Sequence, residues 1–276
     1  MNSVAPAAQK YPIRSLEKGL QLLLLFDVPN RAVRLSEASR YLGVSLSTAH
    51  RLLAMLCGLS FVRQDPKTRA YYAGGTLLDL AQSLLEEGAL VRAADEELQL
   101  LAKRTRETAV LAVLRGSESH IIALAEGTEM TRVVPVKRHL GTPAHATSAG
   151  KVLLAELTRP ELVHIFARQQ LRAMTPRTIA KRSALEVELA TVRRRGYAMS
   201  SEEAHPMVAS VATIMRGSDG RTYGAIALLA PPLRISSAVV PRLVEQMRRS
   251  GDRIAARFER SLLVAPLAPE RSRADS

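Results

Sequence analysis

Along the first sixty residues, apolar positions recur at the three- and four-residue steps of helices. Leu16, Leu20, Leu23 and Leu24 follow Ser15 on one helical face. Ser36 is placed to cap a second helix that carries Ala38, Tyr41 and Leu42 and stops at Gly43. Ser45 is a good N-cap for a third helix, Leu46–Leu56. Phe61–Gln64 and Ala70–Ala73 then read as short strands, with Asp65, Pro66 and Lys67 supplying the turn chemistry between them. From Thr76 to Leu90 the spacing is helical again through Leu77, Leu80, Ala81, Leu84 and Leu85. Gly88 is expected to interrupt it before a further helix over Arg92–Glu107.

The remainder mixes strands and helices. Strand-like runs are Ala109–Leu114, His120–Ala125, Thr131–Val136, Val208–Met215 and Tyr223–Leu229, the last two joined by a turn over Gly217–Gly220. Ser183 and Glu186 fit a capping box that opens a helix to Arg195, ended by Gly196. A final helix spans about Ser236–Leu262, and the polar tail after Pro266 is expected to be disordered.

Composition narrows the class. The 276 residues suggest two domains, and 47% apolar residues are ample for packed cores. A single cysteine excludes a disulfide scaffold and a Cys-rich zinc module, and Cys57 reads as a small core residue. No apolar run approaches the roughly 18–20 residues that cross a bilayer. The stretch MNSVAPAAQKYPIRS has no apolar signal region, so a reducing cytosol is the expected compartment. The net charge of +13 favours a polyanionic partner. It does not locate the binding face: residues 1–85 hold ten Lys/Arg against five Asp/Glu, and the rest hold 29 against 21.

Two short helices joined tightly at Gly43–Ser45 have the form of a helix-turn-helix. At 100° per residue, Ala49, Leu52, Leu53 and Leu56 fall on one side of the third helix, which predicts an inward face. The opposite side presents Ser47, Thr48, His50 and Arg51, with no acidic residue. Hydroxyls can bond phosphates or bases, and Arg can bridge guanine O6 and N7. Arg63, Lys67 and Arg69 lie on the following hairpin, where they could grip the DNA backbone as a wing. Ser36 and Ser45, at the helix starts, complete the candidate DNA-binding set.

Other chemistry is thin. There is no G-x-S-x-G elbow, and Lys151 follows Gly150 without phosphate-loop spacing. His145 reads as a structural hydrogen-bonder. His205 beside Glu202 and Glu203 could ligate a metal, although a plain loop histidine is the simpler reading. No cofactor is expected. The rival function is a small-molecule-modifying enzyme with an appended DNA- or partner-binding helical domain.

The segments RSLEKGLQLLLLF and LSEASRYLGVSLSTAHRLLAMLCGLSFVRQDPKTRAYYAG resemble the winged helix-turn-helix of the IclR family of bacterial transcription regulators. HATSAGKVLLAEL, RRRGYAMSSEEAHP and GRTYGAIALLAPP resemble three family stretches farther on, in the same order. The resemblance covers about residues 12–258. It implies an α+β protein: a winged helix-turn-helix over 12–75, a linker helix over 76–91, a GAF-like α/β effector-binding domain over 92–263, and a tail over 264–276. It further implies a regulator, as a repressor of a catabolic operon, that binds a double-stranded DNA operator, a small-molecule effector and other copies of itself, with no membrane partner.

The family's effector pocket carries over to Ser148, Ala149, Ser200, Val208, Ser210, Ala227 and Leu229. Here the sequence departs from the family pattern. Ser200 stands in place of Asp, Met207 and Ser210 in place of Gly and Cys, and Ala227 and Leu229 in place of two serines. Fewer donors remain for a buried carboxylate. The substitutions disfavour a glyoxylate- or pyruvate-like ligand and favour an apolar or aromatic acid. The apolar stripe Leu77, Leu80, Ala81 and Leu84 predicts at least a dimer.

Overall fold

The computed structural model describes residues 13–27, 30–128, 141–167 and 170–264. The expected strand at Thr131–Val136 and the tail over 265–276 lie outside them. The chain divides into two compact units, one ending at Leu85 and the other beginning at Glu86.

The first unit contains α1 (Arg14–Leu23), α2 (Leu35–Leu42), α3 (Leu46–Gly58) and an antiparallel ribbon of β1 (Val62–Gln64) and β2 (Tyr71–Ala73). An isolated bridge from Val33 to Tyr71 adds a third edge. Leu22, Leu25, Val33, Ala38, Leu42, Ala49, Leu53, Val62 and Tyr71 form its core, with Leu52, Leu56 and Cys57 partly buried against it. Burial pushes the Cys57 thiol up, as suits a packing residue. On α1 the buried leucine is Leu22, whereas Leu16, Leu20 and the following Leu24 stand out in solvent. Of the stripe read from the sequence, Leu23 packs partly against the core and the rest faces outward.

The expected cap at Ser36 is not formed. Ile13 and Arg34 occupy the cap positions of α1 and α2, which puts Ser15 and Ser36 inside the first turns. Arg34 is extended and Leu35 already turns toward the core, so α2 starts before Ser36 can cap it. Ser45 does cap α3, its Oγ accepting from Thr48 N at 3.2 Å. Gly43 closes α2 with φ at +61°, a left-handed conformation that glycine adopts without strain.

α4 (Gly75–Thr105) is a single helix of 31 residues. Gly88 does not break it: one glycine costs about 1 kcal/mol against alanine. The flanking Leu90, Ala94, Leu98 and Leu101 bury deeply enough to hold the helix together.

The second unit is built on a six-stranded antiparallel sheet. Its strands are β3 (Thr108–Arg115), β4 (Glu118–Ala125), β5 (Gly141–Pro143), β6 (Ala198–Ser201), β7 (Ala209–Arg216) and β8 (Thr222–Ala230), in the order β5-β4-β3-β8-β7-β6. Its helices are α5 (Ser148–Glu156), α6 (Arg159–Phe166), α7 (Arg182–Arg195) and α8 (Val240–Val264). Strand alternation separates two cores. Leu111, Ile226 and Leu228 meet α8 and the part of α4 from Glu86 onward. Val110, Ala112, Ala225 and Ala227 meet α5 and α7. Gly196 ends α7 at φ +74° as expected. The Ser183–Glu186 capping box does not form, because α7 opens two residues earlier, with Lys181 rather than Ser183 at the cap. A capping box stands instead at α6, where Glu161 accepts from both the N–H and the hydroxyl of Thr158.

Candidate functional site

α3 presents Ser47, His50 and Arg51 to solvent, with Thr48 half-buried, while Ala49 and Leu53 are fully buried beneath. The turn before it is fixed from two sides. Ser39 Oγ donates to the Val44 carbonyl at 2.6 Å, and the Ser45 cap holds the first turn. Ser36 is exposed at the start of α2. The wing turn is tied by Asp65, whose Oδ1 accepts from the N–H groups of Lys67 and Thr68 at 2.8 Å each. Those bonds hold the Asp65 carboxyl below its usual range. Lys67 and Arg69 are exposed on this ribbon, and Arg63 lies 4.6 Å over the Tyr72 ring. The result is an exposed polar face on α3 beside a rigid basic hairpin, a shape that suits a major groove and its flanking phosphates.

In the second unit, Ser148, Ala149, Ser200, Val208, Ser210, Ala227 and Leu229 all line one cavity of about 80 Å³. Strand register explains the convergence. Ser200 faces Ser210 across β6–β7, Ser210 faces Leu229 across β7–β8, and Ala227 faces Val110 across β8–β3. Over this sheet face sits the N-terminus of α5. Thr147 caps it, Oγ1 accepting from Gly150 N at 2.9 Å. A Cβ on Gly150 would stand 2.2 Å from the Ala144 carbonyl oxygen, so only glycine allows this close approach. The first-turn N–H groups of Ser148 and Ala149 have no partner within the helix.

The cavity's hydroxyls are partly committed. Ser200 Oγ donates to the Ala146 carbonyl at 2.9 Å, and Ser148 Oγ donates to Ser210 Oγ at 2.7 Å, which leaves the Ser210 proton for a ligand. Val110, Ser119, Ile121, Thr142, Thr147, Ala204 and His205 also line the cavity and were not read as pocket-lining in the sequence. Thr147 carried a readable signal, a cap residue before an apolar run. Ser119 and Thr142 face each other across β4–β5, a pairing that three-residue β5 did not announce.

Behind the cavity, Lys151 is buried and donates to Glu203 Oε1 at 2.7 Å and to the Met199 carbonyl at 3.2 Å. The pair joins α5 to the segment after β6. Burial raises the Glu203 carboxyl against the opposing pull of Lys151. His205 Nδ1 lies 2.7 Å from the Pro206 carbonyl oxygen, Glu203 serves Lys151, and Glu202 pairs with Arg177 at 2.9 Å. No group of three or more His, Cys, Asp or Glu side chains that could hold a metal ion is found among the described residues. His145 is buried, with Nε2 3.0 Å from the Arg172 carbonyl oxygen, and burial holds its pKa below the usual histidine value. No helix among the described residues is long and apolar enough to cross a membrane.

Comparison with known proteins identifies the family. Residues 15–66 match the IclR helix-turn-helix domain, and residues 82–256 match the bacterial transcriptional regulator IclR C-terminal domain. The regulator XynR of Escherichia coli K12 is 31% identical, over 87% of this chain and 94% of its own length. The transcriptional repressor IclR of the same strain is 29% identical, over 85% of this chain and 86% of its own. The inducer-binding domain of the Acinetobacter transcription factor PobR, solved as a double mutant with 3-hydroxybenzoic acid, aligns at TM-score 0.54 and 27% identity. It covers 58% of this chain and 94% of that domain. These relatives are transcriptional regulators, not enzymes, which removes the rival reading of a small-molecule-modifying enzyme. With a DNA-binding helix-turn-helix and an effector-binding domain in the family's order, the chain belongs to the IclR family of bacterial transcriptional regulators.

Proposed function

We propose that this regulator represses a catabolic operon in the bacterial cytoplasm and is released from its operator by a small acid with an apolar body. Operator sequence is read by Ser47, Thr48, His50 and Arg51 on α3. Arg63, Lys67, Arg69 and the hydroxyls of Ser36 and Ser45 hold the phosphate backbone. The repressor sign is supported by the relative of that name, 29% identical along most of the chain.

The effector reading rests on one observation above the others: the cavity combines hydroxyl groups and a helix N-terminus with aliphatic side chains. The α5 N-terminus and Ser210 suit a carboxylate. Val110, Ile121, Val208, Ala227 and Leu229 suit a hydrocarbon body. The volume bounds the ligand. About 80 Å³ lies well under the ~300–1,000 Å³ of drug-sized sites, so a short branched acid fits directly. A benzoate-like ring, of the class bound by the PobR domain, enters only if Leu229 and its neighbours yield.

The working form is a dimer or a higher oligomer. A groove of about 640 Å³ between α1 and α3 is lined by Leu16, Leu20, Leu23, Met55 and Leu59. Leu78, Leu80, Leu84 and Leu85 of α4 are also exposed. Isolated chains would leave all of these to water, and two recognition helices are what a two-fold operator requires. A gel shift on the intergenic DNA upstream of this gene, with and without isobutyrate, benzoate, pyruvate and glyoxylate, tests the whole reading. Retarded DNA that isobutyrate or benzoate releases is expected. Release by pyruvate or glyoxylate alone would show that the Ala227 and Leu229 substitutions have been misread.

A further inference from the structure

A second cavity in the effector unit shares no lining residue with the first. It lies between α6 and α7, measures about 380 Å³, and is floored by Leu162, Phe166, Leu185 and Leu189. That volume is within the ~300–1,000 Å³ range of small-ligand sites. Its rim carries three guanidinium groups, Arg159, Arg182 and Arg193, against one carboxylate, Glu186. Among the described residues, none of the three arginines has a carboxylate partner within ion-pair distance.

One of these cations is anchored and a second lies near an aromatic ring, neither being neutralised. Arg193 donates from Nε to the Ala155 carbonyl at 2.7 Å and from Nη2 to the Leu157 carbonyl at 3.1 Å. It caps the C-terminal end of α5, and its remaining N–H groups are available to an anion. Arg182 rests over the Phe166 ring at 5.9 Å from the centroid, so its charge stays beside the apolar floor. A fixed cation loses little freedom on meeting an anion, which makes a charge-assisted bond there more favourable than at a free surface arginine.

We propose that this cavity is a binding site for a medium-chain carboxylate, separate from the effector site. The carboxylate sits against Arg193 and Arg182, and the acyl chain lies on Leu162, Phe166, Leu185 and Leu189. A neutral apolar ligand would leave the cations unanswered. A short polar acid would leave the floor wet.

Calorimetric titration of the full-length protein with octanoate tests this, with 1-octanol as the uncharged control. Saturable binding is expected in addition to any at the effector cavity, at least tenfold tighter than octanol. Arg182→Glu, which reverses an exposed charge, and Val163→Trp, which fills the mouth from a half-exposed position, should each weaken it at least tenfold. Ala227→Phe, which fills the effector cavity, should leave it within twofold. Absence of saturable octanoate binding would overturn the proposal, as would equal binding of octanol. So would octanoate binding that survives Arg182→Glu and Val163→Trp but disappears with Ala227→Phe, which would put the acid in the effector cavity. Sedimentation completes the test. If Val163→Trp splits an oligomer while the wild type takes no octanoate, the cavity is a contact between copies of the chain.

Discussion

The two units hold their chemistry in opposite places. In the first, the candidate DNA-reading groups stand in solvent on α3 and the wing, and the core beneath them is purely structural. In the second, the candidate effector groups are buried or half-buried, and several are alanine, valine or leucine, residues that elsewhere would only fill a core. An exposed polar face is identifiable by residue type and helical phase alone. A buried pocket is identifiable only once the strands that wall it are registered. The apolar surface is distributed just as unevenly. The effector unit buries two clusters around its sheet, whereas the first unit leaves Leu16, Leu20, Leu24, Met55 and Leu59 exposed.

The largest effect that would sharpen this contrast comes from the buried Lys151–Glu203 pair. The first unit has nothing equivalent among its described residues: the ion pairs of Arg31 with Asp27 and Glu37 are all partly exposed. Lys151→Met should cost about 3–5 kcal/mol of effector-unit stability, because it strands a buried carboxylate. Hydrogen exchange resolved along the chain should show the loss from Glu86 onward and not over residues 13–85. The double substitution Lys151→Met with Glu203→Leu should recover most of it.

Next in size are the pocket substitutions. Ala227→Ser with Leu229→Ser should weaken an apolar acid by about 1.5–3 kcal/mol, the value of the lost leucine contact, and leave operator affinity in the absence of effector unchanged. The mirror experiment is Arg51→Ala. It should cost about 1–3 kcal/mol at the cognate operator while effector binding, read by calorimetry, stays as in the wild type. A normally folded Arg51→Ala protein with wild-type operator affinity would remove α3 as the reading helix. Smaller still, Lys67→Ala or Arg69→Ala should lower affinity for all DNA sequences alike and flatten the salt dependence by about 0.9 per lost phosphate contact.

How much of this was legible follows from the same contrast. The helix-turn-helix was readable because Gly43, Ser45 and the four-residue apolar rhythm of α3 are local signals. The β7–β8 hairpin was readable from its glycine-rich turn. Other features were set by tertiary packing and left no local trace. Gly88 looked like a break, yet the burial of Leu90, Ala94 and Leu98 carries α4 through it. Ser183 looked like a cap, yet α7 opens at Arg182. β5 and β6, at three and four residues, are too short for alternation to mark them. The effector set Ser148 to Leu229 came from family resemblance alone. Nothing in residue type marks Ala227 or Leu229 as pocket-lining. Ser119 went unseen, and His205 was read only as a loop histidine or metal ligand, because each meets the cavity only through a strand pairing or a loop that the sequence does not announce.

The smallest expected effect concerns pH, and it too divides the units. His145 is buried in the turn before α5, while His50, the described histidine of the first unit, is exposed on α3. Burial, with a smaller contribution from nearby Lys151, keeps the His145 ring neutral in the folded state at pH values where the unfolded chain would protonate it. The folded pKa lies below the unfolded value of about 6.5. The stability linked to this ring is therefore complete above pH 6.5. It declines as pH falls from there toward the folded pKa, since only the unfolded state gains the proton. One proton limits the slope to about 1.4 kcal/mol per pH unit. His145→Gln keeps a donor for the Arg172 carbonyl and removes the titration. The stability difference between wild type and His145→Gln, measured by denaturant unfolding from pH 7.5 to 5.5, should move against the wild type at the acid end. A difference that stays constant with pH would mean that His145 titrates alike folded and unfolded, and that its burial carries no proton linkage.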